Sequence, residues 1–387
     1  MEKKKQWLEY GLLIGIIAVM VFGAIGYSRQ EYGFQTEGED SSVQYVKGKV
    51  LEIVEQELTE SGADGEYILG YQKLRVRVLE GEQKGEELEI DNYITVQHNV
   101  LAKEGSAVIV CADCPEGVEP YYTIYNYDRT NGLIIVIAIF VLLVILIGKK
   151  QGLRSCIALF FTLEMVFCYL LPRLYEGENA TGITMITVAL SCAVTCFCIG
   201  GVSKKTVLNI LSAVLGGISA GVMYEIFSGI LHVTGCNIDE SETLALVAQT
   251  TGLQLEGVLF AAVTVASLGA VMDVAVSLGA SLSEKSSLNP EIGGKELFRS
   301  GMNIGKDMIG TMTNTLILAF AGGSLATLLV FIAYGVQMHQ LMSSNMIALE
   351  VAKGLAGSSA VVLTVPISAT VCALGYGNNQ QKHNGGK

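Results

Sequence analysis

The chain has 387 residues, of which 51% are hydrophobic and only 16% charged, and its mean hydropathy is +0.47. A soluble domain carries about 25% charged residues, so the composition argues against a purely cytosolic enzyme and for a membrane protein. The net charge of −12 argues against a nucleic-acid partner, which needs a basic footprint.

Taken in order, eight segments reach or approach the ~20 apolar residues that cross a bilayer. They are 10–27, 132–147, 153–171, 182–201, 207–231, 257–280, 309–334 and 354–376. Residues 1–27 read as an N-terminal membrane anchor. Lys3, Lys4 and Lys5, an apolar run and Ala24-Ile25-Gly26 also fit a signal peptide. The run is long for a signal sequence, so an uncleaved anchor is expected.

Residues 28–131 hold 21 Asp and Glu against nine Lys and Arg. Lys73–Val78 and Glu87–Asp91 alternate with period two, and Val46–Leu58, Ser106–Cys111 and Tyr121–Tyr127 are further strand candidates. Glycines punctuate them. The pattern predicts a small OB-like β-barrel, closed so that no sheet edge is left. Cys111 and Cys114 form a CxxC that reads as a disulfide or a thiol pair. Zinc would need two more ligands, and His98 is the one histidine of this stretch. Neither a metal nor a cofactor is expected.

Residues 132–376 then predict a bundle of seven helices, with 377–387 as a tail. Lys and Arg number 14 in the termini and turns 1–9, 148–154, 202–206, 281–308 and 377–387. The short turns of the other side hold only Arg173 and Lys353. The bias predicts cytoplasmic termini and an extracytoplasmic 28–131 in a multi-pass plasma-membrane protein.

Ionisable residues inside spans mark functional sites by default. Glu164 falls midway along the third span, Glu225 and His232 share a face in the outer half of the fifth, and Asp273 sits in the inner half of the sixth. If 291–320 is helical, Asn303, Asp307, Gly310 and Asn314 fall along one side, with Thr311 and Thr315 beside it. Such a stripe offers hard oxygen ligands for cations or protons. Gly301 and Gly305 would let a neighbouring helix approach closely. The expectation is that Asp273 faces this stripe, with Asp307 lower and nearer the cytoplasm. An aspartyl-protease pair needs carboxylates at matching depth, so that reading is set aside. No GxxxxGK[ST] or HExxH motif occurs.

The segment LEGVLFAAVTVASLGAVMDVAVSLGASLSE, followed by KELFRSGMNIGKDMIGTMTNTLILAFAGGS, resembles the signature region of the YibE/F-like bacterial membrane proteins. LTVPISA at 363–369, KGKVLEIVEQ and Asn126-Tyr127-Asp128-Arg129 extend the likeness over residues 45–376. The resemblance implies an integral envelope protein, often suggested as a transporter. The expected function is therefore a secondary transporter or ion-conducting permease, not an enzyme, moving a small solute or ion. The alternative is an envelope scaffold whose outer domain docks a protein partner.

Overall fold

The computed structural model describes residues 2–27, 42–62, 67–81, 83–115, 117–237 and 241–377. The stretch 28–41 and the tail 378–387 lie outside them. The chain forms two compact units, Phe34–Leu143 and Met1–Gly33 with Val144–Lys387.

The first unit is a five-stranded antiparallel sheet. Its strands are β1 (Val43–Ser61), β2 (Tyr67–Val78), β3 (Glu87–Ile94), β4 (Ala107–Asp113) and β5 (Tyr121–Tyr127), in the order β3-β2-β1-β4-β5. Alternation does what the sequence predicts. Leu74, Val76 and Val78 turn inward with Val50, Ile90, Val108 and Val110, while Arg75 and Arg77 pair outward with Glu89 and Glu87. Irregularities at Val50/Glu52 and Ile53/Glu55 bend β1 and curl the sheet.

The expected closed barrel is not formed. The sheet is a curled half-barrel with β3 and β5 as its two edges. Buried amides occupy the position a closing ladder would take. Gln72 donates to Gln56 Oε1 (2.8 Å) and to the Ala102 carbonyl (3.0 Å), and Asn92 donates to Gln72 Oε1 (3.2 Å) and the Val100 carbonyl (2.7 Å). This network ties the loop before β4 across the end of the core, where a cavity of about 350 Å³ separates Tyr93 from Tyr125.

On the wet face, the Tyr71 hydroxyl donates to Asp91 Oδ1 at 2.6 Å. That bond to a carboxylate pushes the Tyr71 ionisation from its ordinary value near 10 up to about 12. The fold thus favours the neutral phenol, so this contribution to stability is complete below pH 10 and is lost as pH rises through 12. In an ultraviolet phenolate titration, Tyr71→Phe should remove a late-ionising tyrosine. If the amplitude of the late phase does not fall by one tyrosine, the assignment is wrong.

The second unit is helical, and its second helix begins within the first unit, up to Leu143. Its elements are α1 (Glu2–Tyr27), α2 (Thr130–Glu164), a π-helical turn (Met165–Leu170), α3 (Leu171–Tyr175), α4 (Ala180–Gly200), α5 (Lys204–Leu231), a 3-10 turn (Gly235–Asn237), α6 (Ser241–Thr251), α7 (Leu255–Leu288), α8 (Gly294–Gly323), α9 (Leu325–Ala333), α10 (Met338–Met342) and α11 (Asn345–Gly377). Helix starts follow local chemistry. Asn179 Oδ1 accepts the Gly182 N–H ahead of α4, and Ser203 Oγ accepts the Thr206 N–H ahead of α5. α11 packs against α5, α7 and α8 and so forms the centre of the bundle.

Length and composition support five spans among the described residues, and six if the bent α8–α9 pair counts as one, rather than eight. The causes are local. The segments 132–147 and 153–171 belong to one helical run, Thr130–Tyr175, with its break at Lys149 (φ 49°, ψ −128°). The break is sharp: Gly152 lies against the Val144 carbonyl, whereas residues eight apart in a straight helix stand ~12 Å apart. The segment 309–334 is not straight, because the helix begins at Gly294 and bends by 51° beyond Gly323. In the anchor, the apolar stretch Glu9–Gly23 falls short of a full span.

Candidate functional site

The stripe on α8 forms as expected but turns the other way. Leu297, Gly301 and Gly305 are its buried positions. A Cβ at Gly301 would lie 2.8 Å from Ala369 Cβ and 3.0 Å from Leu282 Cδ1, and one at Gly305 would strike Val365. Asn303, Asp307, Thr311 and Asn314 are exposed on the opposite face. Asp273 is exposed too, on a face of α7 with Ala262, Ala266, Gly269 and Ser277.

The depths also differ from expectation. Gly305 at Val365 sets Asp307 level with Leu363, and Val271, which meets Thr364 at Gly216, brings Asp273 within about one turn of that level. The two carboxylates share a depth but have no hydrogen bond to each other among the described residues. Both carboxylates are thus exposed rather than buried in the packed core of the bundle.

What the structure does bring together is Glu225 and His232. They line a cavity of about 450 Å³ with Tyr224, Gln254, Glu256 and Phe260, where α5 ends and α7 begins. His232 ends α5 in a left-handed conformation (φ 52°). Glu256 stands in the first turn of α7, where a carboxylate complements the helix dipole. Sequence reasoning missed Glu256 because it immediately precedes an apolar run and reads as a turn residue. Its partners are 24 or more positions away.

A second feature runs through the core toward the lysine-rich end, where α5 starts. Gly216 meets Thr364, and Leu208 meets Gly375, so α5 and α11 are antiparallel. Ser212 and Ser368 both fall between those two contacts. Asn209 is 3% exposed and lies over Gly279 of α7. Hydroxyls in such helices ordinarily bond back to the preceding turn. Thr187, Thr264 and Thr364 do so, at 2.9, 2.7 and 2.7 Å, as does Ser267. Thr184 and Ser191 on α4, Asn209 and Ser212 on α5, and Ser358 and Ser368 on α11 instead carry buried oxygens with no hydrogen-bond partner among the described residues. A buried polar atom without a partner costs about 1–3 kcal/mol.

Glu164 ends α2 at the π-helical turn, and its carboxylate packs over Gly23 of α1. Further along the same two helices, Arg154 pairs with Glu9 at 3.4 Å. Cys111 lies in β4 and lines the cavity between the sheet edges, while Cys114 accepts a contact from Gln83 Nε2 at 3.7 Å; the two sulfurs are not bonded. Among the described residues, no group of three or more His, Cys, Asp or Glu could hold a metal ion.

Several long apolar helices around a polar-lined core define a polytopic helical membrane protein. The model of the YibE/F-like protein family matches residues 136–378, more than half of the chain, and the chain belongs to that family. The match begins after the half-barrel, so the likeness read from residue 45 onward narrows to the helical region. No curated protein and no solved structure matches the chain.

Proposed function

We propose that the chain is a secondary transporter or ion-conducting permease of the bacterial plasma membrane and not an enzyme. The observation that carries this reading is the lane of unpartnered oxygens, Asn209, Ser212 and Ser368 foremost, inside a bundle otherwise packed with apolar and small side chains. Polar atoms left unpaired in a membrane core invite water, a proton or an ion as the missing partner. In this reading the cavity at Glu225 and His232 is the extracytoplasmic mouth, and the lysine-rich end faces the cytoplasm with both termini. The break at Lys149 supports counting the 46-residue run Thr130–Tyr175 as two crossings, since at 1.5 Å per residue it measures ~69 Å against a ~30 Å hydrocarbon core. With α1 and the bent α8–α9 pair, the count returns to eight.

The test is solute flux into liposomes that contain the purified full chain, under imposed proton and cation gradients. Asn209→Leu should lower flux by about tenfold or more, the scale of one lost polar contact of about 1.4 kcal/mol. Asp273→Asn lies off the lane and should keep most of it. Folded protein inert under every gradient, or an unimpaired Asn209→Leu, would overturn the proposal. The exposed edge strands β3 and β5 favour a second reading, an envelope scaffold that docks a protein partner. An inert wild type would leave that one standing.

A further inference from the structure

The cavity lined by Glu225, His232 and Glu256 has the makings of a ligand site. Its volume, about 450 Å³, falls in the range of small-molecule sites. No Lys or Arg among the described residues lines it, and neither glutamate side chain has an ion pair or hydrogen bond there. Such a surface repels anions.

A further observation points inward. Tyr224 is 3% exposed, lines this cavity, and its hydroxyl has no hydrogen-bond partner among the described residues. Glu225 and Glu256 both lie within electrostatic reach of that hydroxyl. Phe260, 4% exposed, adds an aromatic wall.

The donor set does not suit a metal ion. A hard divalent cation asks for six or more oxygens at 2.0–2.6 Å, and among the described residues no three acidic, thiol or imidazole groups are placed to hold a metal ion. Carboxylates held on two different helices, with aromatic rings and a lone hydroxyl between them, suit an organic ammonium. Its N–H groups make charge-assisted bonds to carboxylates, and its charge is attracted to ring faces.

We infer that this cavity binds a small organic cation, a diamine whose two ammonium groups meet Glu225 and Glu256 and whose carbon chain lies against Tyr224 and Phe260. The inference deepens the permease reading by naming a ligand class. Its test reads binding and not flux, so either can fail without the other.

The experiment is isothermal titration of the full chain in nanodiscs with 1,4-diaminobutane, and in parallel with n-butylamine, calcium chloride and succinate. The expected result is saturable binding of the diamine, weaker binding of the monoamine, and none of succinate. Glu225→Gln and Glu256→Gln keep size and shape, and each should weaken the diamine by about tenfold, the effect of one charge-assisted bond. Tyr224→Phe removes only the hydroxyl and should weaken it less. Thermal melts establish that each variant is folded. No diamine binding to folded wild type, wild-type affinity retained in either Glu→Gln variant, or displacement of the diamine by calcium at equal concentration would each overturn the assignment.

Discussion

Gly216→Leu should leave almost no folded helical unit to purify. Gly216 is buried where three helices meet: a Cβ there would stand 2.5 Å from Thr364 Oγ1 on α11 and 2.5 Å from Val271 Cγ1 on α7. Neither neighbour can retreat. Val271 is fully buried among Val274, Leu278 and Val361, and the Thr364 hydroxyl is bonded to Ala360. Overpacking a tight core by a few carbons costs about 1–3 kcal/mol, and a leucine must push two helices apart together. The check is the monodisperse fraction and melting temperature in detergent. Gly310→Ala is the matched control, since nothing lies within 4 Å of its Cβ position, and it should hold or gain stability. A Gly216→Leu protein that melts with the wild type would mean that α5, α7 and α11 do not meet as described.

Gly70→Val should abolish cooperative unfolding of the half-barrel. Gly70 sits in β2 at φ +146°, a conformation that side chains rarely adopt, and a Cβ there would run into the Glu57 carbonyl. The strain alone costs about 1–3 kcal/mol, and the clash falls on backbone, which cannot rotate away. Gly70 pairs with Leu58 of β1 and with Ile94 of β3, so the damage reaches both neighbours in the sheet. The measurement is denaturant unfolding of a soluble fragment spanning 42–129, with loss of the late Tyr71 ionisation as an independent sign. A sharp, unshifted transition would contradict it.

How far the sequence carried depended on whether a feature is local. Period two separated Leu74, Val76 and Val78 from Arg75 and Arg77 correctly, because each choice is made within a few residues. Closure was not legible: alternation assigns faces to strands but says nothing of whether β3 and β5 meet, and here Gln72 and Asn92 fill that end. On α8 the period placed Asn303, Asp307 and Asn314 on one side correctly. The rule that polar residues face the bundle then gave the wrong direction, because Gly301 and Gly305 offer α11 the closer approach. Glu256 and Asn209 escaped notice for one reason: each gains meaning from residues distant in the chain.

The central position of α11 has a consequence for how the protein is made. Its 33 residues leave the ribosome after the other described helices. Until then Gly216, Ser267 and Gly305 have no Thr364, Gly357 or Val365 to close on; α5 and α7 already pack on each other, but α8 meets α7 far less than it meets α11. The membrane therefore receives α5 and α7 already paired and α8 loosely held, and translation of α11 joins the three into one body. A stop codon just before Asn345 would leave chains that are inserted yet lack the helix that joins α8 to α5 and α7, the form that membrane proteases remove.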